Sequence, residues 1–138
     1  MYDEAVRRWL IVFGLVVSAC GGGSSPPSSP PTTQEDPVIT VVAEDNRFIP
    51  ATITVDSATT VELRNDGAVV HTWTVLAEPI EAEAELSQAT TLAEGRVDAG
   101  QSVRIDISAL GPGTYQVVCV IPGHISAGMV GELIVTEK

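Results

Sequence analysis

The fifteen residues from Tyr115 to Met129 read Tyr-Gln-Val-Val-Cys-Val-Ile-Pro-Gly-His-Ile-Ser-Ala-Gly-Met. They contain one thiol, one imidazole and one thioether, spaced five residues apart at Cys119, His124 and Met129. A Pro-Gly pair directly before His124 favours a tight turn, because proline fixes φ and glycine tolerates positive φ. A second glycine directly before Met129 allows the chain to fold back. We therefore expect the three side chains to lie close together.

A second imidazole lies far upstream at His71. His71 and His124 are the two histidines of the chain. A thiolate, two imidazole nitrogens and a weak thioether are the donor set of a mononuclear copper electron-transfer site. Taken singly, a cysteine or methionine is more often core filler, and a histidine at a strand end is more often a hydrogen-bonded structural residue. Their combination predicts one copper ion per chain.

The composition limits the class of protein. The chain has 7 basic and 18 acidic residues in 138, a formal net charge of −11. This charge disfavours nucleic acid and anionic membrane surfaces as partners and favours a basic protein. Val, Thr and Ile recur in short runs separated by Gly, Pro, Asp and Asn, a pattern typical of an all-β domain.

The N-terminal segment has the features of an export signal. Two arginines precede a short apolar run that is too short to cross about 30 Å of hydrocarbon comfortably. Val17-Ser18-Ala19-Cys20 resembles the lipobox of bacterial lipoproteins, which implies that residues 1–19 are a signal peptide and that Cys20 is lipidated. A plain secretory signal and an uncleaved anchor helix are the alternatives.

Residues 20–37 combine Cys20 with a Gly-, Ser- and Pro-rich stretch that has almost no apolar side chains. Such a stretch cannot bury enough surface to offset its ordering entropy, so we predict a disordered linker. Residues 38–138 then form one domain, of the usual size for a β-sandwich.

Seven strands are predicted within this domain. Turn signals separate most of them, and the acidic stretch from Ala77 to Arg96 is predicted to hold a short helix or an irregular loop. The predicted strands are Val38–Ala43, Ala51–Asp56, Thr59–Asn65, His71–Leu76, Gln101–Ser108, Gly113–Cys119 and Gly131–Thr136.

Alternation along the strands assigns the faces of the ligand-bearing segments. Cys119 lies on the apolar face of its predicted strand, and His71 lies on the apolar face of its predicted strand. Thr72 and Thr74 are predicted to face outward. A buried imidazole needs a partner for its polar atoms, and a metal ion would satisfy His71 and Cys119 together.

These motifs resemble those of the cupredoxins, the small blue copper proteins of the plastocyanin, azurin and auracyanin type. The resemblance spans residues 38–138. It rests on the loop from Gly113 to Gly131, on the segment Val69–Val75 around the first histidine, and on the second-strand segment Asn46–Val55.

The resemblance implies an all-β, Greek-key β-sandwich of seven to eight strands with a type 1 copper site. In it, His71 and His124 supply nitrogens, Cys119 the thiolate and Met129 a long axial thioether. Thr72 departs from the family pattern, in which asparagine often follows the first histidine and braces the loop. The spacing from Cys119 to His124 is also among the longer ones of the family.

The function that follows is one-electron transfer without enzymatic activity, by a monomer anchored outside the cytoplasm, periplasmic or at the outer cell surface. Electrons would leave through His124 to a redox protein such as a cytochrome, oxidase or reductase, docked on nearby apolar residues. Acidic side chains in the Ala77–Arg96 stretch are candidates for steering a basic partner, namely Glu78, Glu81, Glu83 and Glu85.

The main alternative is an extracytoplasmic copper-handling protein without a redox function. A multicopper enzyme is not favoured, since ligands for further coppers are absent from the sequence. A cupredoxin without metal is not favoured either, since the set of four copper ligands is complete.

Overall fold

Nine strands form two β-sheets in the computed structural model, which describes residues 35–137. In chain order they are β1 (Val38–Glu44), β2 (Arg47–Ile49), β3 (Thr52–Asp56), β4 (Thr60–Asn65), β5 (His71–Leu76), β6 (Thr91–Val97), β7 (Ser102–Asp106), β8 (Gly113–Val118) and β9 (Val130–Thr136). One short 3₁₀ helix, Glu83–Gln88, lies in the β5–β6 connection, residues 77–90.

The strands pair in the orders β2-β1-β4-β7 and β3-β9-β8-β5-β6. The β1–β4 and β3–β9 pairs are parallel, and the other pairs are antiparallel. This arrangement confirms the predicted all-β Greek-key sandwich, with nine strands in the described chain instead of seven or eight. The β8–β9 loop, residues 119–129, carries the sulfur- and nitrogen-bearing side chains at one end of the second sheet.

Alternating side chains from both sheets meet in one apolar core. Val41, Leu63 and Ile105 enter it from the first sheet, and Val117 and Leu133 enter it from the second; all five are at most 3% exposed. Burying an aliphatic side chain of this size contributes about 1.5–3 kcal/mol. The core therefore fixes the two sheets on which the site is built.

All seven predicted strands are present, within a few residues of their expected bounds. Two strands were missed, β2 and β6. β2 has three residues and follows a turn at Asn46, whose φ is 69°, so it is too short to show a period. β6 contains Gly95, where an added Cβ would lie 2.5 Å from Ile105 side-chain atoms. A glycine at such a close approach interrupts the alternation of side chains by which a strand is recognised in a sequence.

β5 is buried on both faces, so the prediction that Thr72 and Thr74 face outward was wrong. Their exposed fractions are 1% and 0%. β5 lies between β6 and β8, and the two hydroxyls are satisfied internally: they lie 3.3 Å apart, and Thr74 also donates to Glu94 Oε2 at 3.0 Å. Hydrogen bonding of this kind allows polar side chains to be buried at low cost.

The predicted signal peptide (residues 1–19), Cys20 and the linker up to residue 34 lie outside the described residues. The boundary at residue 38 therefore stays a prediction. Within residues 35–137, no helix has the length and apolar character needed to span a membrane.

Candidate metal centre

The register between β5 and β8 brings two of the predicted ligands together. Thr74 pairs with Val118 in antiparallel fashion, so the start of β5 lies beside the end of β8. His71 is the first residue of β5 and Cys119 directly follows β8. Both are fully buried. The Thr72 N–H donates to Cys119 Sγ at 3.4 Å.

The β8–β9 loop closes on itself and presents the other two predicted ligands. Gly123 and Gly128 have φ values of 86° and 95°, in the left-handed region that side chains disfavour. The Met129 N–H donates to the His124 carbonyl at 2.9 Å, and the Cys119 N–H donates to the Met129 carbonyl at 3.2 Å. The turns predicted at the two glycines thus bring the ends of the loop together.

His71, Cys119 and His124 form the cluster that this folding produces. One ligand atom from each residue lies within 4.8 Å of the others. Cys119 Sγ is 3.3 Å from His124 Nδ1 and 4.0 Å from His71 Nδ1. The two imidazole rings are 5.1 Å apart between centroids and inclined at 52°.

These distances fit one shared metal ion. With bonds of about 2.3 Å to sulfur and 2.0 Å to nitrogen, as at zinc sites, and angles of about 110–120°, sulfur and nitrogen ligands are about 3.5–3.7 Å apart. The two measured separations, 3.3 Å and 4.0 Å, lie on either side of that value. A buried thiol with two imidazoles is also the donor set that copper prefers.

The environment of His71 favours the neutral, metal-binding form of its ring. Burial is the main cause that lowers the pKa of His71 below its ordinary value, and the neighbouring His124 ring lowers it further; Asp45 opposes both. A metal ligand must be unprotonated. His71 is therefore ready to bind an ion at neutral pH without first losing a proton.

Gly67 and Asn65 lie beside the His71 ring on the side of its Nε2 atom. Nε2 is buried and has no hydrogen-bond partner among the described residues. A Cβ added at Gly67 would lie 3.0 Å from this atom and 3.2 Å from Asn65 Oδ1. Asn65 is fully buried; it accepts from the Gly67 N–H at 2.9 Å and donates to the Val69 carbonyl at 2.7 Å. Asn65 thus fixes the turn that leads into His71.

Thr72 connects the two ligand-bearing strands through two hydrogen bonds. Its Oγ1 accepts from the Val120 N–H at 2.8 Å, while its backbone N–H points to Cys119 Sγ. Thr72, the residue that departs from the asparagine of the cupredoxin pattern, thus makes a brace of its own. A hydroxyl one residue beyond His71 is bonded to the residue directly after Cys119.

Met129 is fully buried, and its backbone is bonded to both Cys119 and His124. The fourth predicted ligand is thus held beside two of the others, and its role as axial ligand stays a prediction. His124 is half-buried and is the one partly exposed residue of the cluster. Cys20, the predicted lipidation site, is outside the described residues.

Sequence reasoning did not assign a role at the site to Asn65 or to Glu83. The Glu83 carboxylate accepts from the Gly123 N–H at 2.7 Å and from Ser126 Oγ at 2.9 Å. The only sequence signal for Asn65 is its place in an Asn-Asp-Gly turn. Glu83 has none, since it is one of several glutamates in an irregular segment.

A family comparison agrees with this geometry. The family of copper binding proteins described as plastocyanin/azurin matches residues 37–136. Among curated proteins, the copper-resistant cuproprotein CopI of Rubrivivax gelatinosus is 34% identical over an alignment 108 residues long, and the alignment covers 71% of this chain. The match covers 65% of the length of that relative.

Solved structures show the same fold. Reduced auracyanin from Roseiflexus castenholzii superposes with a TM-score of 0.63 at 21% identity, covering 72% of this chain and 96% of that one. Auracyanin A of Chloroflexus aurantiacus, described as a "blue" copper protein, superposes with a TM-score of 0.58 at 23% identity, covering 72% and 98%.

Proposed function

This chain belongs to the plastocyanin/azurin family of copper-binding proteins, and on that premise we propose that it is a one-electron carrier held at the outer side of a membrane. The observation that supports the proposal is the convergence of His71, Cys119 and His124 within 4.8 Å, with Met129 buried beside them. Copper is the cofactor, and the arrangement is typical of a type 1 site.

When bound, copper supplies the couple between Cu(II) and Cu(I). The protein's contribution is to hold the ligands so that they need to move little between the two states. His71 and Cys119 are fixed by strand pairing and full burial. Hydrogen bonding to the cysteine sulfur tunes the potential of such sites, and here the Thr72 N–H is the donor.

We infer that electrons enter and leave through His124, the ligand that reaches the surface. Apolar residues lie near it on the β8–β9 loop and at the start of β9, partly or fully exposed: Ile121, Pro122, Ile125, Ala127 and Val130. An exposed apolar patch is typical of a docking surface. Redox partners generally use small, transient interfaces, so a cytochrome or an oxidase or reductase docking here suits the role.

Steering by charge is a further part of the proposal. Glu78, Glu81 and Glu85 are exposed in the β5–β6 connection, and the whole chain has a net charge of −11. A basic partner would associate faster at low ionic strength. The association rate measured against salt concentration tests this, and a rate independent of salt would remove the steering role.

Membrane attachment through Cys20 completes the proposal. Its support is the lipobox-like sequence Val17-Ser18-Ala19-Cys20 and the Gly-, Ser- and Pro-rich linker that follows. The mass of the mature N-terminal peptide decides it. A diacylglyceryl-modified Cys20 supports the anchor, and an unmodified N-terminus at any other residue excludes it.

The central test is to load the full chain with Cu(II) and record its visible spectrum. We expect an intense thiolate-to-copper band, its loss in Cys119→Ser, and reversible reduction and reoxidation without loss of copper. A colourless complex, or release of copper on each reduction, would contradict an electron carrier.

A second candidate, copper handling, is favoured by the relationship to a protein named as a copper-resistant cuproprotein. A handling protein passes its copper to an acceptor, whereas a carrier retains it. The discriminating measurement is transfer of Cu(I) to a chelator of matched affinity. Slow exchange with fast electron transfer supports the carrier, and the reverse supports handling.

A further inference from the structure

One carboxylate connects the β5–β6 connection to the turn that carries His124. Glu83 Oε1 accepts from the Gly123 N–H at 2.7 Å, and Oε2 accepts from Ser126 Oγ at 2.9 Å. The two donors lie on either side of His124 in the sequence, 40 and 43 residues from Glu83. Glu83 thus holds both flanks of a ligand from a distant segment.

The segment that carries Glu83 is itself anchored to β8. Gln116 Oε1 accepts from the Ile80 N–H at 2.8 Å, and Gln116 Nε2 donates to the Ile80 carbonyl at 3.0 Å. Gln116 lies on β8, three residues before Cys119, which directly follows that strand. The β5–β6 connection is therefore bonded to the chain on both sides of the Cys119 ligand.

Around His124, the β8–β9 loop is otherwise hydrogen-bonded to itself. In the described chain, the backbone hydrogen bonds donated by His124, Ala127, Gly128 and Met129 all end within the loop. Gly123 is exposed and in the left-handed region, where glycine has the greatest conformational freedom. An external contact at this residue limits that freedom directly.

We propose that Glu83 is a positioning residue of the copper centre, holding the turn around His124 so that its ring stays directed at Cys119 Sγ. Outer contacts of this kind orient metal ligands, and their loss typically weakens metal binding by about 10–100-fold. The inference rests on the copper centre and not on electron transfer, so it applies equally to a carrier and to a handling protein.

The charge of Glu83 suits this role. The Gly123 N–H is the main cause that lowers the pKa of Glu83 below its ordinary value, followed by the Ser126 hydroxyl. The carboxylate is therefore ionised at neutral pH, and hydrogen bonds to an ionised acceptor are stronger than neutral ones. Glu83 is one of the four acidic residues suggested for steering, but its carboxylate is hydrogen-bonded to Gly123 and Ser126, which flank His124.

The test compares Glu83→Ala, Glu83→Gln and the matched control Glu78→Gln in the full chain. Glu78 is exposed in the same connection, and among the described residues its carboxylate has no hydrogen bond to the β8–β9 loop. Glu78→Gln therefore removes the same charge without removing the contact. Glu83→Gln keeps an acceptor for the Gly123 N–H and is the milder change.

We expect Glu83→Ala to release Cu(II) to a competing chelator at about tenfold lower chelator concentration and to change the intensities of the thiolate bands. Glu83→Gln should be intermediate and Glu78→Gln unchanged. In the metal-free protein, the Gly123 amide should exchange its hydrogen faster in Glu83→Ala than in the control. Equal exchange and equal copper release in Glu83→Ala and Glu78→Gln would overturn the proposal. The exchange measurement tests Glu83 even if the copper complex proves colourless and the carrier function fails.

Discussion

The two histidines of the metal centre are held by different kinds of structure. His71 begins a strand that is buried on both faces, and its ring is fully enclosed. His124 lies on a loop, half-buried, and is held by local turns and by a carboxylate from another segment. One side of the centre is thus fixed by the sheet and the other by side-chain contacts.

This difference suits the two requirements of the proposed electron-transfer site, which are exclusion of water and access for a partner. The enclosed side excludes water and keeps His71 and Cys119 at a constant separation. The half-buried side would give the proposed partner access to one ligand, His124. The following predictions test whether the division between the two sides is real, beginning with the largest expected effect.

Replacing either histidine by glycine should remove the intense thiolate colour and weaken Cu(II) binding by more than about 100-fold, above the usual cost of outer contacts. Added imidazole should restore the colour in His124→Gly, because His124 is partly exposed. It should fail to do so in His71→Gly, whose site is closed. The measurement is a titration of each Cu(II) complex with imidazole.

Near-ultraviolet circular dichroism controls for loss of the fold in both variants. Equal recovery of colour by His71→Gly and His124→Gly would show that the two sides are equally accessible, and the comparison would not hold.

Gly67→Ala tests the enclosed side without replacing a ligand. The new methyl would lie 3.0 Å from His71 Nε2 and 3.2 Å from Asn65 Oδ1, and both neighbours are fully buried. Overpacking of this kind costs about 1–3 kcal/mol, so the free energy of unfolding should fall and the copper spectrum should change.

Gly111→Ala is the matched control, since an added Cβ there meets nothing within 4 Å. Its effect is expected to lie between none and a gain of about 1 kcal/mol from reduced entropy of the unfolded chain. Chemical denaturation of the metal-free proteins measures both. A neutral Gly67→Ala would mean that the His71 ring has room to shift.

The all-β fold and the ligand positions were accessible from the sequence for a physical reason. β-branched residues alternate along most strands, and the spacing of Cys119, His124 and Met129 is a local property of one loop. The contribution of His71 follows from its place on an apolar strand face. Each of these signals lies within a few consecutive residues, so no knowledge of the tertiary structure is needed.

The contacts that support the ligands were not accessible in the same way. The bond from Glu83 to Gly123 joins segments 40 residues apart, and an irregular segment has no period that predicts its position. The burial of Thr72 was missed because threonine alternating with apolar residues normally marks a solvent-facing side. Only the packing of β5 between β6 and β8 shows that this side is also buried.

Thr72→Val tests the bond that joins the two ligand-bearing strands. Valine keeps the shape of the side chain and removes the acceptor for the Val120 N–H. Leaving a partly buried donor unpaired costs about 1 kcal/mol. Thr54→Val on β3, where the side chain is exposed, should change the unfolding free energy by less than about 0.5 kcal/mol. Equal effects of the two substitutions would show that the Thr72 hydroxyl is not a brace.

The smallest expected effect is a pH dependence of the free energy of unfolding that arises from the enclosed His71. Because the pKa of His71 is lowered in the folded state, the unfolded chain binds a proton more readily below pH 6.5, and the folded state loses stability as the pH falls. Between pH 7 and 6 this amounts to at most about 0.7 kcal/mol for one histidine. Carboxylates with lowered pKa values, such as Glu83 and Asp66, contribute in the same direction, but only as the pH falls below about 5. The unfolding free energy of the metal-free protein should therefore decline from pH 7 to 6, and the decline should disappear in His71→Gln. A decline of the same size in His71→Gln would place its origin elsewhere, and full enclosure of the His71 ring would then have no consequence for its protonation.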